Sequence, residues 1–379
     1  MPKVLHIVYN LTRGGTEGQC ARIAIEMARR GELHRVAAFR REGFFLEAVE
    51  QASGEIYEVR IRKLVALRTL AEISRLHWFI RREGFELVHA WDADAAVFGS
   101  VAARWARIPY ITSRRDLGEI YPAWKLRLMR RADRGAEVVV VNAEVIREHV
   151  RAAGIKATRI RKIHNIMDVD EFDRLQTEPF SLRRRLPEGR LVGLVARLDP
   201  EKDVKTFVNA AAQVAARRPE VGFVVAGDGP ERPGLESLAR DLGLREDRMV
   251  FLGEVSDVPA LLSRLAVGVL VPRANEGFSN SILEYMSGRL PVVATRCGGN
   301  AEAVQDGQTG FVRPPGDVSG IAGAIGRLLD DPALAASFGR KGRAQVERNH
   351  RAVSIARQFA ELYEAITRGS RTTISGEVS

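Results

Sequence analysis

A loop between a predicted strand and a predicted helix has the sequence Asn275-Glu276-Gly277-Phe278-Ser279-Asn280-Ser281-Ile282-Leu283-Glu284. The apolar run at 267–272 before it predicts a buried strand, and the apolar spacing within it predicts a helix that starts near Phe278. Backbone N–H groups and the positive end of the helix dipole meet at such a junction. The sequence therefore predicts an anion site at this loop.

Two carboxylates flank this predicted anion site. Glu276 follows the strand, and Glu284 lies about two turns into the predicted helix, so both can face one cleft. Sugar hydroxyls donate short, strong hydrogen bonds to carboxylates. The pair therefore favours a ligand with a phosphate part and hydroxyl-rich parts, such as a nucleotide sugar. A helix-capping Glu276 and a merely exposed Glu284 explain the same spacing without a ligand.

Length and composition are those of an ordinary soluble globular protein. The 379 residues suffice for two domains with full cores, and 45% of them are hydrophobic and 28% charged. The longest apolar runs have the length of strands, and the N-terminal sequence enters a strand without signal-peptide architecture. Cys20 and Cys297 form no metal or disulfide pattern. We therefore expect a reducing, cytoplasmic location.

Positive charge is concentrated in the first half of the chain. The net charge is +10, and residues 1–200 carry 36 Lys and Arg against 26 Asp and Glu, whereas residues 201–379 carry 22 of each. This asymmetry favours an anionic partner: nucleic acid, a phosphorylated acceptor or an anionic membrane surface. Aromatic, aliphatic and basic residues alternate at 121–134, which predicts either a helix in a lipid headgroup layer or a surface helix whose apolar stripe is core.

Predicted strands and helices alternate along the first half. This order predicts a parallel sheet with helices on both faces and with ligands at the carboxyl ends of its strands. Gly14 and Gly15 lie at the first strand-to-helix turn, where they let the backbone approach a ligand, and Thr16 can cap the helix. A plain tight turn is the alternative. The predicted strands are residues 4–9, 35–39, 56–59, 87–90, 110–112 and 138–141.

Polar side chains follow two of these strands. Asp92 and Asp94 come after the strand at 87–90, and Arg114 and Arg115 follow the strand at 110–112, so we expect all four at one crevice. A carboxylate there can orient an acceptor hydroxyl, and the arginines can hold an acceptor phosphate or carboxylate. Helix caps and surface ion pairs are the alternative for each of them.

A second alternating unit begins after residues 173–190, whose proline, glycine and arginine content predicts a linker. The strand predicted at 191–196 ends at Arg197, and Lys202 precedes the next helix. Both cations can therefore meet a diphosphate bound at the loop that begins at Asn275, called the central loop. The strand predicted at 221–226 ends at Gly227.

The order and spacing of several motifs resemble those of the family-four retaining glycosyltransferases, over essentially the full chain. That family implies the GT-B fold, in which two Rossmann-like, doubly wound α/β domains face a central cleft and the last helix crosses back to the first domain. The matching motifs are Gly14-Gly15-Thr16-Glu17, Ala196-Arg197-Leu198-Asp199-Pro200-Glu201-Lys202, Gly227-Asp228-Gly229, Phe251-Leu252-Gly253, Glu276-Gly277-Phe278 through Glu284, and Gly298-Gly299 through Glu302.

The resemblance and the linker together predict the domain limits. We expect an acceptor-binding domain at 1–172, a linker at 173–190 and a nucleotide-sugar-binding domain at 191–352. A crossover helix at 353–368 and a polar, disordered tail at 369–379 complete the chain.

The resemblance also implies roles for the matching residues. Arg197 and Lys202 correspond to the pair that holds the donor diphosphate and stabilises its departing charge. Glu276 corresponds to the carboxylate for the donor sugar, and Glu284 to the one for the ribose. Asp94 completes the predicted catalytic set on its position after the strand at 87–90, as the group that orients the acceptor hydroxyl, although relatives can have His there. The other expected donor-site residues are Gly14, Gly15, Gly227, Gly277, Phe278, Ser279, Asn280 and Asp257, the last of which fits a helix cap equally well.

The family transfers a sugar with retention at the anomeric carbon and needs no metal or cofactor. Two fixed cations and a helix end supply the leaving-group stabilisation that Mg²⁺ gives elsewhere. We expect a hexosyltransferase that moves a sugar from a UDP- or GDP-sugar to a lipid-linked or polysaccharide acceptor. Polysaccharide or lipopolysaccharide biosynthesis for the cell surface fits this chemistry, in the cytoplasm or peripherally on the inner face of the membrane.

One departure and three alternatives stay open. Many relatives carry a His near the donor sugar where this chain has Arg114 and Arg115, which leaves the sugar and acceptor open. A non-catalytic nucleotide-sugar-binding scaffold has little need of the complete set of two cations and two glutamates. A sugar-nucleotide epimerase shares the architecture, but the block from Glu276 to Glu284 favours a transferase. A nucleic-acid binder lacks a recognisable module here.

Overall fold

Apolar runs form the parallel strands of two separate sheets. The computed structural model describes residues 1–61, 67–178 and 184–369. These residues form two compact units, of which the first contains Met1–Met167 and the chain from His350, and the second contains Asp168–Asn349. The predicted alternation of strands and helices is present in both units.

The first unit, within the described residues, contains a seven-stranded parallel sheet. In chain order its strands are β1 (Val4–Val8), β2 (His34–Ala38), β3 (Tyr57–Glu58), β4 (Leu87–Ala90), β5 (Tyr110–Arg114), β6 (Val139–Val141) and β7 (Ile160–Lys162). In space their order is β3-β2-β1-β4-β5-β6-β7. Strand order therefore reverses between β1 and β4, the position at which such sheets form a ligand crevice.

Helices cover both faces of this first sheet. Those in chain order are α1 (Gly15–Arg29), α2 (Leu46–Ser53), α3 (Leu67–Glu83), α4 (Ala93–Ala106), α5 (Ala123–Gly135) and α6 (Glu144–Ala152), and the last helix of the chain, α15 (Ala352–Thr367), joins them. Ile355, Phe359 and Tyr363 of α15 are buried in the same core as Val8 and Ile23. The amphipathic pattern near the C-terminus therefore forms a core helix of the first unit.

The second unit contains a six-stranded parallel sheet in the part of the chain that the structure describes. Its strands are β8 (Arg190–Val195), β9 (Val221–Ala226), β10 (Met249–Gly253), β11 (Leu265–Leu270), β12 (Val292–Thr295) and β13 (Gly310–Arg313). In space their order is β10-β9-β8-β11-β12-β13. The order reverses between β8 and β11, so the crevice of this unit lies at their carboxyl ends.

Eight helices of the second unit fall within the described residues. They are α7 (Val169–Gln176), α8 (Val204–Arg217), α9 (Arg232–Asp241), α10 (Val258–Leu262), α11 (Asn280–Ser287), α12 (Asn300–Ala303), α13 (Val318–Asp330) and α14 (Pro332–Asn349). A short 3-10 turn, Pro200–Lys202, precedes α8. The strands between them are buried on both faces, as parallel sheets require.

The two units divide at positions that differ from the predicted domain limits. The predicted limit at residue 172 falls inside α7, which belongs to the second unit. Arg343 of α14 holds α7 there through two ion-pair contacts with Asp173, of 2.6 and 2.7 Å. At the other end, the backbone N–H of Met167 donates to the carbonyl of His350 at 2.8 Å, which places His350 in the first unit.

The predicted linker and the predicted tail lie partly outside the described residues. Within the predicted linker at 173–190, the first residues continue α7 and residue 190 begins β8, while residues 179–183 lie outside the described part. Of the predicted tail at 369–379, residues 370–379 lie outside it as well. The sequence missed β7, because Ile160-Arg161-Lys162 has no apolar run.

Candidate functional site

The carboxyl ends of β8 and β11 bring together the loops that the sequence singled out in the second half. β8 leads through Ala196 and Arg197 into the 3-10 turn Pro200–Lys202. β11 leads through the central loop into α11. Since β8 and β11 are paired neighbours at the switch point of the sheet, their loops lie side by side.

Lys202 and Glu276 form the closest contact between these two loops. The Nζ of Lys202 lies 2.7 Å from Oε2 of Glu276, and Glu276 is only 8% exposed. The backbone N–H of Arg273 also donates to the carbonyl of Glu201 at 2.9 Å. The loops that carry the cation and the carboxylate are therefore held together by both side chains and backbone.

Arg197 is placed differently from Lys202. Its Nη2 lies 2.7 Å from Asp199 and 3.5 Å from Glu201, and 69% of its side chain is exposed. Exposed ion pairs of this kind are weak, so the guanidinium can reorient toward an anion at little cost. Lys202 is thus a fixed cation of the site, and Arg197 is an adaptable one.

The central loop runs into α11, which begins at Asn280, two residues later than predicted. Ser279 is its N-cap and makes no side-chain capping bond, whereas Gly277, Phe278 and Ser279 are buried. Glu284 is half-buried and lies just over one turn into the helix. The first N–H groups of α11 therefore face the end of the loop that carries Glu276.

Glycines allow close backbone contacts with the central loop and with the residue that follows β8. Gly298 has φ +53°, and a Cβ there would lie 1.8 Å from the carbonyl oxygen of Glu276. The N–H of Gly299 donates to the carbonyl of Gly277 at 2.6 Å. Gly227 has φ +134°, and a Cβ there would lie 1.8 Å from the carbonyl of Ala196. These close approaches explain why glycine occupies these positions.

Asp257 acts as a helix cap. It is the N-cap of α10, and its Oδ1 accepts a hydrogen bond from the N–H of Ala260 at 3.1 Å. The helix cap that the sequence offered as one role for Asp257 is therefore present in the structure.

The glycine pair of the first unit forms the start of α1. Gly14 is the N-cap, and Gly15 is the first residue of the helix. Thr16 lies inside α1, and no side-chain capping bond is present, so the expectation that Thr16 caps this helix is wrong. A Cβ on Gly14 would meet the carboxylate end of the Glu17 side chain, at 2.2 Å, and that flexible group can move aside.

Asp92 connects two loops at the crevice of the first unit. Its Oδ1 caps α4 by accepting from the N–H of Ala95 at 2.9 Å, and its Oδ2 accepts from the N–H of Tyr9 at 2.6 Å. Burial raises the pKa of Asp92 to about 7. Asp92 therefore fixes the loop after β1 to the start of α4.

Asp94 is the second residue of α4, two positions after Asp92, and is paired with a lysine of α5. Its Oδ1 is 2.8 Å from Nζ of Lys125, and about a quarter of its side chain is exposed, 27%. The Asp94 side chain is therefore partly accessible from solvent.

Arg114 and Arg115 point to different surroundings. Arg114 is 6% exposed, and its Nε lies 3.8 Å from Asp133, beside a cavity of about 190 Å³ under α5 and α6. Arg115 donates to Oδ1 of Asn165 at 2.7 Å and lies over the ring of Trp91 at 4.7 Å. Burial lowers the pKa of Arg115 to about 10. The structure does not bring the two guanidinium groups together as one anion-binding pair.

A buried histidine network of the first unit was missed by the sequence reasoning. Nε2 of His6 lies 2.8 Å from Nδ1 of His34, and Nδ1 of His6 accepts from the indole N–H of Trp91 at 2.9 Å. His89 bonds the hydroxyl of Tyr363 at 2.8 Å and that of Ser113 at 2.8 Å. The sequence did contain a signal for this network, because His6, His34 and His89 each lie in a strand and are buried.

The described residues contain neither a metal-binding cluster nor a membrane-spanning helix. No group of three or more His, Cys, Asp or Glu side chains among those residues is arranged to hold a metal ion. None of the helices in those ranges combines the length and the apolar character of a membrane span.

Known proteins resemble this chain along both halves. Residues 13–171 match the family described as Glycosyltransferase Family 4, and residues 189–331 match Glycosyl transferases group 1. An alpha-D-kanosaminyltransferase of Streptomyces kanamyceticus is 34% identical over 244 residues, which cover 62% of this chain and 62% of that protein. The match thus spans less than two thirds of that relative's length.

A second relative and a solved structure extend this similarity. A GDP-mannose-dependent alpha-(1-6)-phosphatidylinositol monomannoside mannosyltransferase of Mycolicibacterium smegmatis is 30% identical over 263 residues, covering 66% of this chain and 69% of that protein. The crystal structure of Anabaena HepE in complex with UDP and glucose has a TM-score of 0.84 at 25% identity, covering 96% of this chain and 100% of that one. The resemblance expected from the motifs is confirmed: the chain belongs to the family-four glycosyltransferases, the glycosyl transferases group 1, and has their GT-B fold.

Proposed function

We propose that the protein is a glycosyltransferase that moves a sugar from a nucleotide-sugar donor to an acceptor. The observation that carries the proposal is the contact of 2.7 Å between Lys202 and Glu276 at the start of α11. A cation, a carboxylate and a helix N-terminus together suit a diphosphate that carries a sugar. Family membership supports the same activity.

The donor is a UDP- or GDP-sugar. HepE was crystallised with UDP and glucose, and the mannosyltransferase relative depends on GDP-mannose, which supports these two bases ahead of others. In the second unit, Lys202 and Arg197 bind the diphosphate, Glu276 accepts hydrogen bonds from the sugar hydroxyls, and Glu284 accepts them from the ribose. The N–H groups at the start of α11 complete the diphosphate contacts.

The reaction proceeds with retention and without a metal. The acceptor oxygen forms a bond to the anomeric carbon on the face from which the diphosphate leaves, the bond from that carbon to the phosphate oxygen breaks, and the leaving phosphate takes the acceptor proton. Lys202 and Arg197 stabilise the negative charge that develops on the leaving group. Asp94 orients the acceptor hydroxyl in the first unit.

The acceptor is a lipid-linked or polysaccharide glycan of the cell surface. α5 supports contact with an anionic membrane: Trp124 and the preceding Ile120 are exposed, whereas Met129 and Ala132 of the same helix are buried in the unit. Part of its apolar stripe is therefore core, and its first turn is available to lipid. We expect more protein to co-sediment with anionic than with neutral liposomes.

Substitution of one exposed tryptophan distinguishes this membrane contact from nonspecific adsorption to liposomes. Trp124→Gln should lower co-sedimentation, whereas Trp78→Gln, at a more exposed tryptophan on α3, should not. Equal sedimentation with both lipid compositions would refute membrane attachment.

A thermal-shift panel with UDP, GDP and ADP tests the donor site. One nucleotide should raise the melting temperature of the wild type, because a ligand that binds only the folded state stabilises it. Glu284→Ala should reduce that shift. Glu246→Ala is the control, since Glu246 lies in the same unit with 87% of its side chain exposed. If no nucleotide shifts the wild type at millimolar concentration, the proposal fails.

A further inference from the structure

The hydroxyl of Tyr285 links α11 to the two strands between which the second sheet reverses its order. It accepts a hydrogen bond from the N–H of Val195, the last residue of β8, at 2.7 Å. It also donates to the carbonyl of Val269 in β11, at 3.1 Å. The last paired residues of β8 and β11 are Leu194 and Val269, so the hydroxyl lies where this pairing ends.

The sheet makes room for the Tyr285 ring. Gly268 of β11 faces it, and a Cβ on Gly268 would lie 2.5 Å from the ring. Tyr285 has no exposed surface, and burial raises its pKa, so its hydroxyl stays protonated and able to donate. A phenylalanine would fill the same space and lack both hydrogen bonds.

Ser281 supplies a second link at the same strand end. Its Oγ donates to the carbonyl of Val195 at 2.8 Å. Ser281 and Tyr285 are four residues apart and therefore lie on one face of α11. Both polar groups of the Val195 backbone are thus held by α11, two residues before Arg197.

We propose that Tyr285 is a positioning residue for donor binding. Together with Ser281 it fixes the distance between the N-terminus of α11 and the end of β8. At that distance, the first N–H groups of the helix contact the same diphosphate as Arg197 and Lys202. The inference rests on the proposed function, because it assigns Tyr285 a part in the same nucleotide site. Tyr285 acts through the backbone of Val195 and does not touch the nucleotide.

Tyr285→Phe tests this proposal by calorimetric titration with UDP and GDP at 20–25 °C. We expect the nucleotide that the wild type binds to bind about tenfold more weakly to the variant, because the helix N-terminus is no longer held in register. Tyr110→Phe is the matched control. Tyr110 is also buried and donates its hydroxyl to a carbonyl, that of Ala132 at 2.9 Å, but it lies in the first unit.

Ser281→Ala provides a second variant in case Tyr285→Phe does not fold. It should weaken nucleotide binding about threefold, since one of two links remains. A melting temperature lowered in Tyr285→Phe with nucleotide affinity within twofold of the wild type would show a purely structural role and overturn the inference alone. If the wild type binds neither nucleotide, the proposed function and the inference fall together.

Discussion

Nζ of Lys202 lies 2.7 Å from Oε2 of Glu276, so the cation proposed for the diphosphate is bonded to the carboxylate proposed for the sugar. A diphosphate that binds Lys202 must share it with Glu276 or displace that carboxylate. The two residues are 74 positions apart in the sequence and meet only because β8 and β11 are neighbours. This pairing makes binding of the nucleotide and transfer of the sugar separable by mutation.

Glu276→Gln should separate them. Removing the negative charge beside Lys202 should leave the affinity for UDP or GDP unchanged or higher, because these nucleotides carry no sugar for Glu276 to bind. Turnover of the nucleotide sugar should fall at least about 100-fold, since the sugar loses its charged acceptor. Titration calorimetry and a transfer assay measure the two effects.

The same measurements on Glu246→Gln provide the control, because that exposed glutamate carries the same charge in the same unit. A tenfold loss of nucleotide affinity in Glu276→Gln would show that Glu276 binds the nucleotide itself, contrary to the role assigned here.

Gly298→Ala should disturb the central loop, because its Cβ would lie 1.8 Å from the carbonyl oxygen of Glu276. Gly307→Ala is the matched control: Gly307 has φ +74° and no atom within 4 Å of the added Cβ. We expect Gly307→Ala to cost about 1 kcal/mol of the free energy of unfolding, from the left-handed backbone alone. Gly298→Ala should cost roughly 2 kcal/mol more, from the forced shift of the loop.

Scanning calorimetry with and without nucleotide identifies the transition of the second unit and measures both variants. Gly298→Ala should also lose nucleotide binding, and Gly307→Ala should keep it. Equal costs for the two substitutions would mean that the loop around Glu276 moves freely.

Asp92 should make the first unit less stable as the pH rises. Its pKa of about 7 in the folded protein exceeds the ordinary value of 3.8, so the folded state holds a proton that the unfolded chain has released between these pH values. Stability is therefore lost as pH rises through this window. Relative to wild type, Asp92→Asn should gain stability from about pH 4 to pH 7 and then level off.

Urea unfolding followed by tryptophan fluorescence reports on this unit, because all four tryptophans lie between residues 78 and 124. A difference between Asp92→Asn and wild type that does not change with pH would contradict the raised pKa.

The buried histidines should make the first unit less stable as the pH falls, opposite to the effect of Asp92. Burial lowers the pKa of His6 and of His89 well below 6.5, so the unfolded chain takes up protons below pH 6.5 that the folded protein does not bind. Stability should therefore fall as the pH drops from 7.5 to 5.5. Each such histidine contributes at most about 1.4 kcal/mol per pH unit to this slope.

His6→Gln should flatten the slope, since glutamine can still accept from Trp91 and does not titrate. His149→Gln, at an exposed histidine of the same unit, is the control and should keep the wild-type slope. If the free energy of unfolding of His6→Gln has the same pH dependence as that of the wild type, groups other than His6 cause the loss of stability at low pH.

The sequence alone determined the arrangement of strands and helices and most of the candidate donor site. Apolar runs such as those of β8 and β11 are buried on both faces, and this local pattern is visible without a structure. Parallel strands bring their carboxyl ends to one edge, which is why Arg197, Lys202 and Glu276 could be assigned to one crevice before any distance was known.

Tertiary structure decided the partners of these groups. Lys202 bonds Glu276, Arg114 turns inward toward Asp133, and Asp257 caps α10, although residue type and spacing allowed other outcomes. Helix starts and unit limits also depended on distant contacts: Arg343 holds α7 from 170 positions away. Periodicity reports which face of an element is buried, whereas the direction and partner of a charged side chain depend on residues far apart in the sequence that only packing brings together.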